Sequence, residues 1–295
     1  MTKPTRVDPH ALLRWQTLQR LAPAPWLHQE VARRMAERLS WIKREPQHII
    51  DWWSHHGGGL EALQRQYPRA HIATMEPGQR EPTAVSTSAA APSWWSWMRG
   101  KTTSATTPAN PPAQAELLWS NMGLHGVEDG PALMQRWLDA LAVDGFLMFS
   151  CFGPDTLREL RALYATQGWG EAHSPFIDMH DLGDALVHAG FADPVMDMEV
   201  ISLSWPSAQA LLTELRGLGR NTAPLRFNGL RTPRWQARLD AELEQQLGPK
   251  PKLSFEIIYG HAFKPEPRVK VQSETTITLD TFRGMTRNTT RKNSP

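Results

Sequence analysis

Ile49-Ile50-Asp51-Trp52-Trp53-Ser54-His55-His56-Gly57-Gly58-Gly59-Leu60, followed by Ala73-Thr74-Met75-Glu76-Pro77, decides the fold of this chain. An apolar run ends in an acid, and a glycine cluster follows. A helix-compatible segment comes next, and a second short run ends in another acid. That is the order of a strand, a tight turn, a helix and a strand built around a nucleoside. Glu76 lies roughly 20 residues beyond the turn, where a ribose-binding carboxylate belongs. Glycine serves such a turn because the backbone must approach a ligand closely and glycine adopts positive φ without penalty. Trp53 and His55 occupy two positions where these loops usually carry glycine, and each adds a side chain where the ligand would approach.

Outward from this unit, strands and helices alternate. On the N-terminal side, residues 9–39 read as helical, with Val31, Met35 and Leu39 at helical spacing. Pro23 and Pro25 divide the segment into two helices. The first strand spans 48–51, the next helix 58–66 and the second strand 71–75. Further strands are expected at 115–121, 146–151 and 255–263, with an edge strand through Met196, Met198, Val200 and Ser202. Helices are expected at 130–141, 157–164, 179–188, 208–218 and 234–247. Asp155 or Thr156 is the expected cap of the second of these, and Gly190 the C-cap of the third. Alternation of this kind predicts an α/β fold, a doubly wound, mostly parallel sheet with helices on both faces and helical N-terminal and cap additions. Asp51, Glu76 and Asn121 all fall at strand ends and are expected to converge on one cleft. The domain reading is an N-terminal helical segment at 1–46 and a main domain at 47–263. A Pro-, Ser- and Thr-rich flexible insertion at 78–114 carries the aromatic island Trp94-Trp95-Ser96-Trp97, and a polar tail runs over 264–295.

Composition narrows the function classes. The chain has 295 residues, is 40% hydrophobic and carries a net charge of +2, which argues against a strongly basic nucleic-acid protein. No apolar run approaches the roughly 20 residues of a membrane span, and no secretory core follows Met1. The single cysteine, Cys151, excludes an internal disulfide, suits a cytoplasmic setting, and reads as a buried strand-end residue rather than a nucleophile. His55 and His56 point in different directions with no ligand at metal spacing, so no metal site is expected.

The series of motifs resembles the class I S-adenosylmethionine-dependent methyltransferases. More narrowly, it is similar to the malonyl-acyl-carrier-protein O-methyltransferases of biotin (pimeloyl) synthesis. The narrower likeness rests on Leu118-Trp119-Ser120-Asn121-Met122-Gly123-Leu124-His125, on Phe149-Ser150-Cys151-Phe152-Gly153-Pro154-Asp155-Thr156-Leu157-Arg158-Glu159-Leu160, and on Leu215-Arg216-Gly217-Leu218-Gly219, in that order. Related mitochondrial complex I assembly factors share some of these motifs. The resemblance implies S-adenosyl-L-methionine as cofactor, with Asp51, Gly57, Gly58, Glu76, Asn121 and Met122 around it. It also implies a malonyl group on an acyl carrier protein as the partner to be methylated. The family's covering tyrosine is missing, and Trp26 is the candidate in its place. No catalytic residue is assigned, because an ionised carboxylate needs alignment and water exclusion rather than a base. Arg158, Arg161, Arg216 and Arg220 are candidate carboxylate anchors. The basic run from Arg216 through Arg226, Arg231 and Arg234 to Arg238, with Lys250 and Lys252, offers an acidic carrier protein a surface. The competing reading is a non-catalytic binding or assembly protein that keeps the fold and has lost the cofactor.

Overall fold

In the computed structural model the deciding segment becomes β1 (His48–Trp52) and β2 (His71–Met75), paired in parallel with Ile49 opposite Ile72 and Asp51 opposite Thr74. The structure describes residues 7–19, 23–77, 79, 81–85, 114–227 and 229–267. Nearly all of these belong to one unit, Met1–Pro265; a second, Glu266–Pro295, lies almost wholly outside the described residues. With β3 (Thr83–Ala84), β4 (Ala115–Ser120), β5 (Leu141–Phe152), β6 (Ala192–Ser204) and β7 (Lys252–Phe263), the described residues form a seven-stranded sheet ordered β3-β2-β1-β4-β5-β7-β6. β2, β1, β4 and β5 are parallel, β7 runs antiparallel between β5 and β6, and β3 runs antiparallel to β2. The order reverses between β1 and β4, which is where an open α/β sheet leaves a crevice beyond its strand ends.

The strands read as continuous apolar runs because both faces are covered. Successive residues are shared between two cores: Ile49, Leu117, Phe146, Met148 and Ile257 face one, Ile50, Leu118, Leu147, Phe149 and Ile258 the other. The first core is closed by α2 (Trp26–Leu39), α4 (Leu60–Gln66), α6 (Arg158–Gln167), α8 (Ala208–Leu218) and α9 (Pro233–Leu247). The second is closed by α5 (Gly130–Ala140) and α7 (Met179–Ala189). α1 (Pro9–Gln19) stands apart, its Leu12 and Trp15 forming a small satellite cluster with Val7. The helix ends follow local chemistry. Asp129, Asp178, Ser207 and Thr232 cap α5, α7, α8 and α9 through their side chains, and Gly190 ends α7 at φ 104°.

Four expectations need correction. β5 begins at Leu141 rather than at Phe146, because Leu141 pairs with Ala115 across a register shift; Gly145 allows it, since a Cβ there would meet Ala115 O at 2.9 Å. β7 starts at Lys252 because it pairs along almost the whole of β6. Neither Asp155 nor Thr156 caps α6. Thr156 spends its hydroxyl on the Glu256 carbonyl (3.0 Å), and Leu157 takes the cap position at φ 55°. The helix expected at 58–66 begins at Leu60 and is preceded by a separate helical turn, α3 (Ser54–Gly57). Most of the expected insertion at 78–114, its aromatic island included, and most of the expected tail lie outside the described residues.

Candidate functional site

The carboxyl ends of β1, β2 and β4 meet at the crevice, and the sequence there has built an unusual turn. Trp53 follows β1 in the left-handed region, at φ 62° and ψ 45°, where a bulky residue costs about 1–2 kcal/mol. It is held there because its N–H donates to the Met75 carbonyl (2.6 Å) and its carbonyl accepts from Gly57 (2.8 Å). α3 follows, and Gly58 releases it at φ 66°. Asn121 clamps this turn from below. Its side-chain amide donates to the carbonyls of Gly57 (2.6 Å) and His28 (2.8 Å), and its oxygen accepts from Ser150 Oγ (2.7 Å). The glycines are needed for protein packing. A Cβ on Gly57 would meet Asn121 O at 2.8 Å, one on Gly58 the Ala24 side chain at 2.8 Å, and one on Gly59 the indole of Trp119 at 2.4 Å.

Above the turn, rings fill the space. Trp15 of α1 sets its indole edge-on to His56, 5.3 Å between centroids, and His56 is edge-on to His28 at 4.4 Å. His28 and His125 come within 6.5 Å of each other. Burial depresses all three imidazoles, to about 4 for His28, about 2 for His56 and about 3 for His125, so they are neutral at pH 7. The Asp51 carboxyl goes the other way. Burial raises it to about 7, although Ser54 Oγ donates to it at 2.5 Å. Between Trp15, Trp53, His55, His56 and Glu76 only about 20 Å³ remains, room for about one water molecule.

Two larger cavities flank this filled hollow. One, of about 300 Å³, lies between the ends of β1 and β2 and the start of α5, with Trp52, Trp53, Glu76, Glu128, Asp129 and Arg136 in its wall. The other, of about 390 Å³, runs from His125, Gly126 and Phe152 at the ends of β4 and β5 to Tyr164, Arg231 and Trp235 under α6 and α9. α1 separates the three spaces. Leu12 borders both large cavities, Trp15 borders the hollow and the second cavity, and Gln16 borders the hollow and the first. α1 is tied down by Gln16 to the Gly126 carbonyl (3.3 Å) and by Asp8 to Arg226 (2.7 Å).

Comparison with known proteins gives the arrangement its family. A malonyl-[acyl-carrier protein] O-methyltransferase of Gallionella capsiferriformans is 36% identical over 251 residues, 82% of this chain and 86% of that one. One from Laribacter hongkongensis is 34% identical over 82% of this chain and 84% of its own length. The chain belongs to the malonyl-[acyl-carrier protein] O-methyltransferase family. No family model matches it. Among solved structures, the YcgJ protein of Bacillus subtilis is similar over 79% of this chain and 98% of its own, with a TM-score of 0.47 and 10% identity.

For a malonyl-[acyl-carrier protein] O-methyltransferase, the residues suggested by sequence fall into two groups. Asp51, Glu76, Gly57 and Gly58 gather at the crevice. Glu76 borders both the hollow and the first cavity, and its carboxylate accepts from the His55 N–H at 2.9 Å. Asn121 and Met122 lie beneath the turn, fully buried, with the Met122 N–H donating to Ser150 Oγ at 3.0 Å. Of the four arginines, Arg216 and Arg220 border the second cavity. Arg158 and Arg161 do not, and instead face Glu159 (3.4 Å) and Asp155 (3.9 Å) on the solvent side of α6. Trp26 is 55% exposed; the aromatic that covers the crevice is Trp15. Sequence reading passed over Trp15 and Trp235, and took Arg231 only as part of the basic run, not as a cavity residue. His125 stood inside a quoted motif without a role.

S-adenosylmethionine, the cofactor that the resemblance implies, fits this site in two unequal parts. The first cavity, with Glu76 at its edge, suits the nucleoside. The methionyl half would run through the hollow, where Trp15 and His56 stand, so it fits only with α1 displaced. The polar atoms buried around that path without a hydrogen-bond partner (Trp15 Nε1, His28 Nε2, both His56 ring nitrogens and Asp51 Oδ1) match the needs of a polar ligand.

Proposed function

We propose that this protein is an S-adenosylmethionine-dependent O-methyltransferase acting on the free carboxylate of a malonyl group carried by an acyl carrier protein, in biotin synthesis. The observation that carries the reading is the second cavity. Aliphatic and aromatic side chains make up most of its wall, His125 and Phe152 at the ends of β4 and β5 place it beside the crevice, and Arg216 and Arg220 border it. Among the described residues these two arginines make no ion pair or side-chain hydrogen bond, which leaves their planar forks for a carboxylate. When bound, the cofactor supplies an activated methyl group. The chain's part is to hold the acceptor oxygen in line and exclude water, and such alignment accounts for much of a transfer that needs no base. On either side of Arg231 in the chain, Leu225, Phe227, Leu230 and Arg234 are exposed, a mixed basic and apolar segment suited to an acidic carrier.

Transfer of a labelled methyl group to malonyl-carrier protein, set against acetyl-, succinyl- and free-acid acceptors, tests the reading. Selective labelling of the malonyl acceptor supports it; label on another acceptor alone, or on none, overturns it. A second reading has one observation in its favour: the rings of Trp53, His55 and His56 in the hollow, which suit a fold that has lost the cofactor. Calorimetry separates the two, since stoichiometric binding of S-adenosylmethionine excludes the second.

A further inference from the structure

We propose that Arg231 forms an anion site for the phosphate of a phosphopantetheine arm at the outer end of the acceptor cavity. The inference rests on the reading of the acceptor as a carrier-bound acyl group. If the carboxylate pairs with Arg216 and Arg220 and its methyl donor lies toward His125 and Phe152 at the strand ends, the arm leaves away from them, past Tyr164, Arg231 and Trp235, which border the same cavity. Arg231 is placed for this in a way that none of the four arginines suggested by sequence is. Its guanidinium carbon lies 3.9 Å from the ring centre of Phe227 and 4.2 Å from that of Trp235. Its Nη2 donates to the Trp169 carbonyl at 2.9 Å. These contacts fix the plane of the fork without neutralising it, because aromatic faces and a carbonyl leave the positive charge in place.

Among the described residues Arg231 has no carboxylate partner. A guanidinium has five N–H donors, and here one bond is accounted for. A second donor waits beside it. Trp235 Nε1 is buried, borders the same cavity and has no acceptor. A held cation and an unused indole N–H side by side on the wall of one cavity suit an oxyanion with several acceptor oxygens. The same phosphate chemistry occurs in a carrier protein's phosphodiester and in a free coenzyme A thioester.

The test compares malonyl-pantetheine with malonyl-phosphopantetheine, as acceptors and as ligands in calorimetry, with malonyl-carrier protein and malonyl-coenzyme A as further arms. The wild type is expected to prefer the phosphorylated compound about tenfold in KM and in Kd, with inorganic phosphate competing. Arg231→Gln should bring that ratio close to one, and Arg231→Lys should restore part of it, while thermal unfolding of each variant reports on folding. The carrier and coenzyme A arms tell which source of phosphate the site favours. Equal affinity of the wild type for the two pantetheine compounds overturns the anion site, as does an Arg231→Gln protein that keeps the preference. Absence of methyl transfer from the wild type overturns the functional reading instead, and the binding ratios still decide whether the anion site exists.

Discussion

The hollow beside Glu76 and the cavity beside Phe152 share Trp15 as a wall, yet one is packed shut and the other stands open. In the hollow, residues of types that loops of this kind usually avoid have replaced glycine. The rings of Trp15, His56 and His28 lean on one another with Trp53 beside them, and neutral imidazoles and a carboxyl of raised pKa lie among them. In the cavity, aliphatic side chains such as Leu160, Leu212 and Leu239 on α6, α8 and α9 make a smooth wall with cations at its ends. The difference lies in what fills the space: rings packed against one another on one side, open room between helices on the other. The packed side then answers to pH and to core mutations as a protein interior does.

The largest expected effect comes from that interior. His28, His56 and His125 have folded pKa values of about 4, 2 and 3, below the ordinary 6.5, so their contribution is complete above pH 6.5 and is lost as pH falls. Asp51, raised from 3.8 to about 7, works the opposite way, its contribution being lost as pH rises through that range. Three groups outweigh one. Acidification from pH 6.5 to 5 should therefore lower unfolding free energy by about 3 kcal/mol, read from urea melts; a flat profile would show that these imidazoles are not buried and neutral. Next, Asn121→Leu removes the clamp and leaves the Gly57 and His28 carbonyls without their donor. A loss of about 3 kcal/mol is expected in the same melts, and a near-neutral variant would mean the clamp is dispensable.

Two further variants address ligand rather than fold. Glu76→Ala should weaken S-adenosylmethionine binding about a hundredfold, through two charge-assisted bonds lost, with the fold kept; unchanged affinity in calorimetry would remove Glu76 from the site. The smallest effect is assigned to Trp15→Ala, which opens the hollow to the second cavity and should tighten cofactor binding by about tenfold, or 1.4 kcal/mol. Weaker binding in this variant would make Trp15 a contact rather than an obstruction.

Much of the sheet could be read from sequence, because strands buried on both faces declare themselves as unbroken apolar runs; β2 and α8 have the expected bounds. α3 could not, since Ser54-His55-His56-Gly57 has no periodicity and is held by bonds from Asn121 and Met75 that lie far off in the chain. The cap of α6 was misread for a similar reason: Thr156 is a good cap by type, but β7 claims its hydroxyl. At the crevice, the strand-end position of Glu76 was legible from its spacing alone. Trp15 was not, and Arg231 was legible as a surface cation but not as a cavity residue, because each borders its cavity through the packing of a separate element, α1 in one case and the segment before α9 in the other.

The position of α1 has a thermodynamic consequence. A cofactor reaching through the hollow and an acyl chain filling the second cavity would both press on Trp15, and its displacement needs to occur only once. Whichever ligand arrives first bears the free energy of moving the helix, and the other then binds to an opened protein. Linkage requires the favour to be equal in both directions. Two sites with no shared ligand atom would in that way become cooperative through one indole.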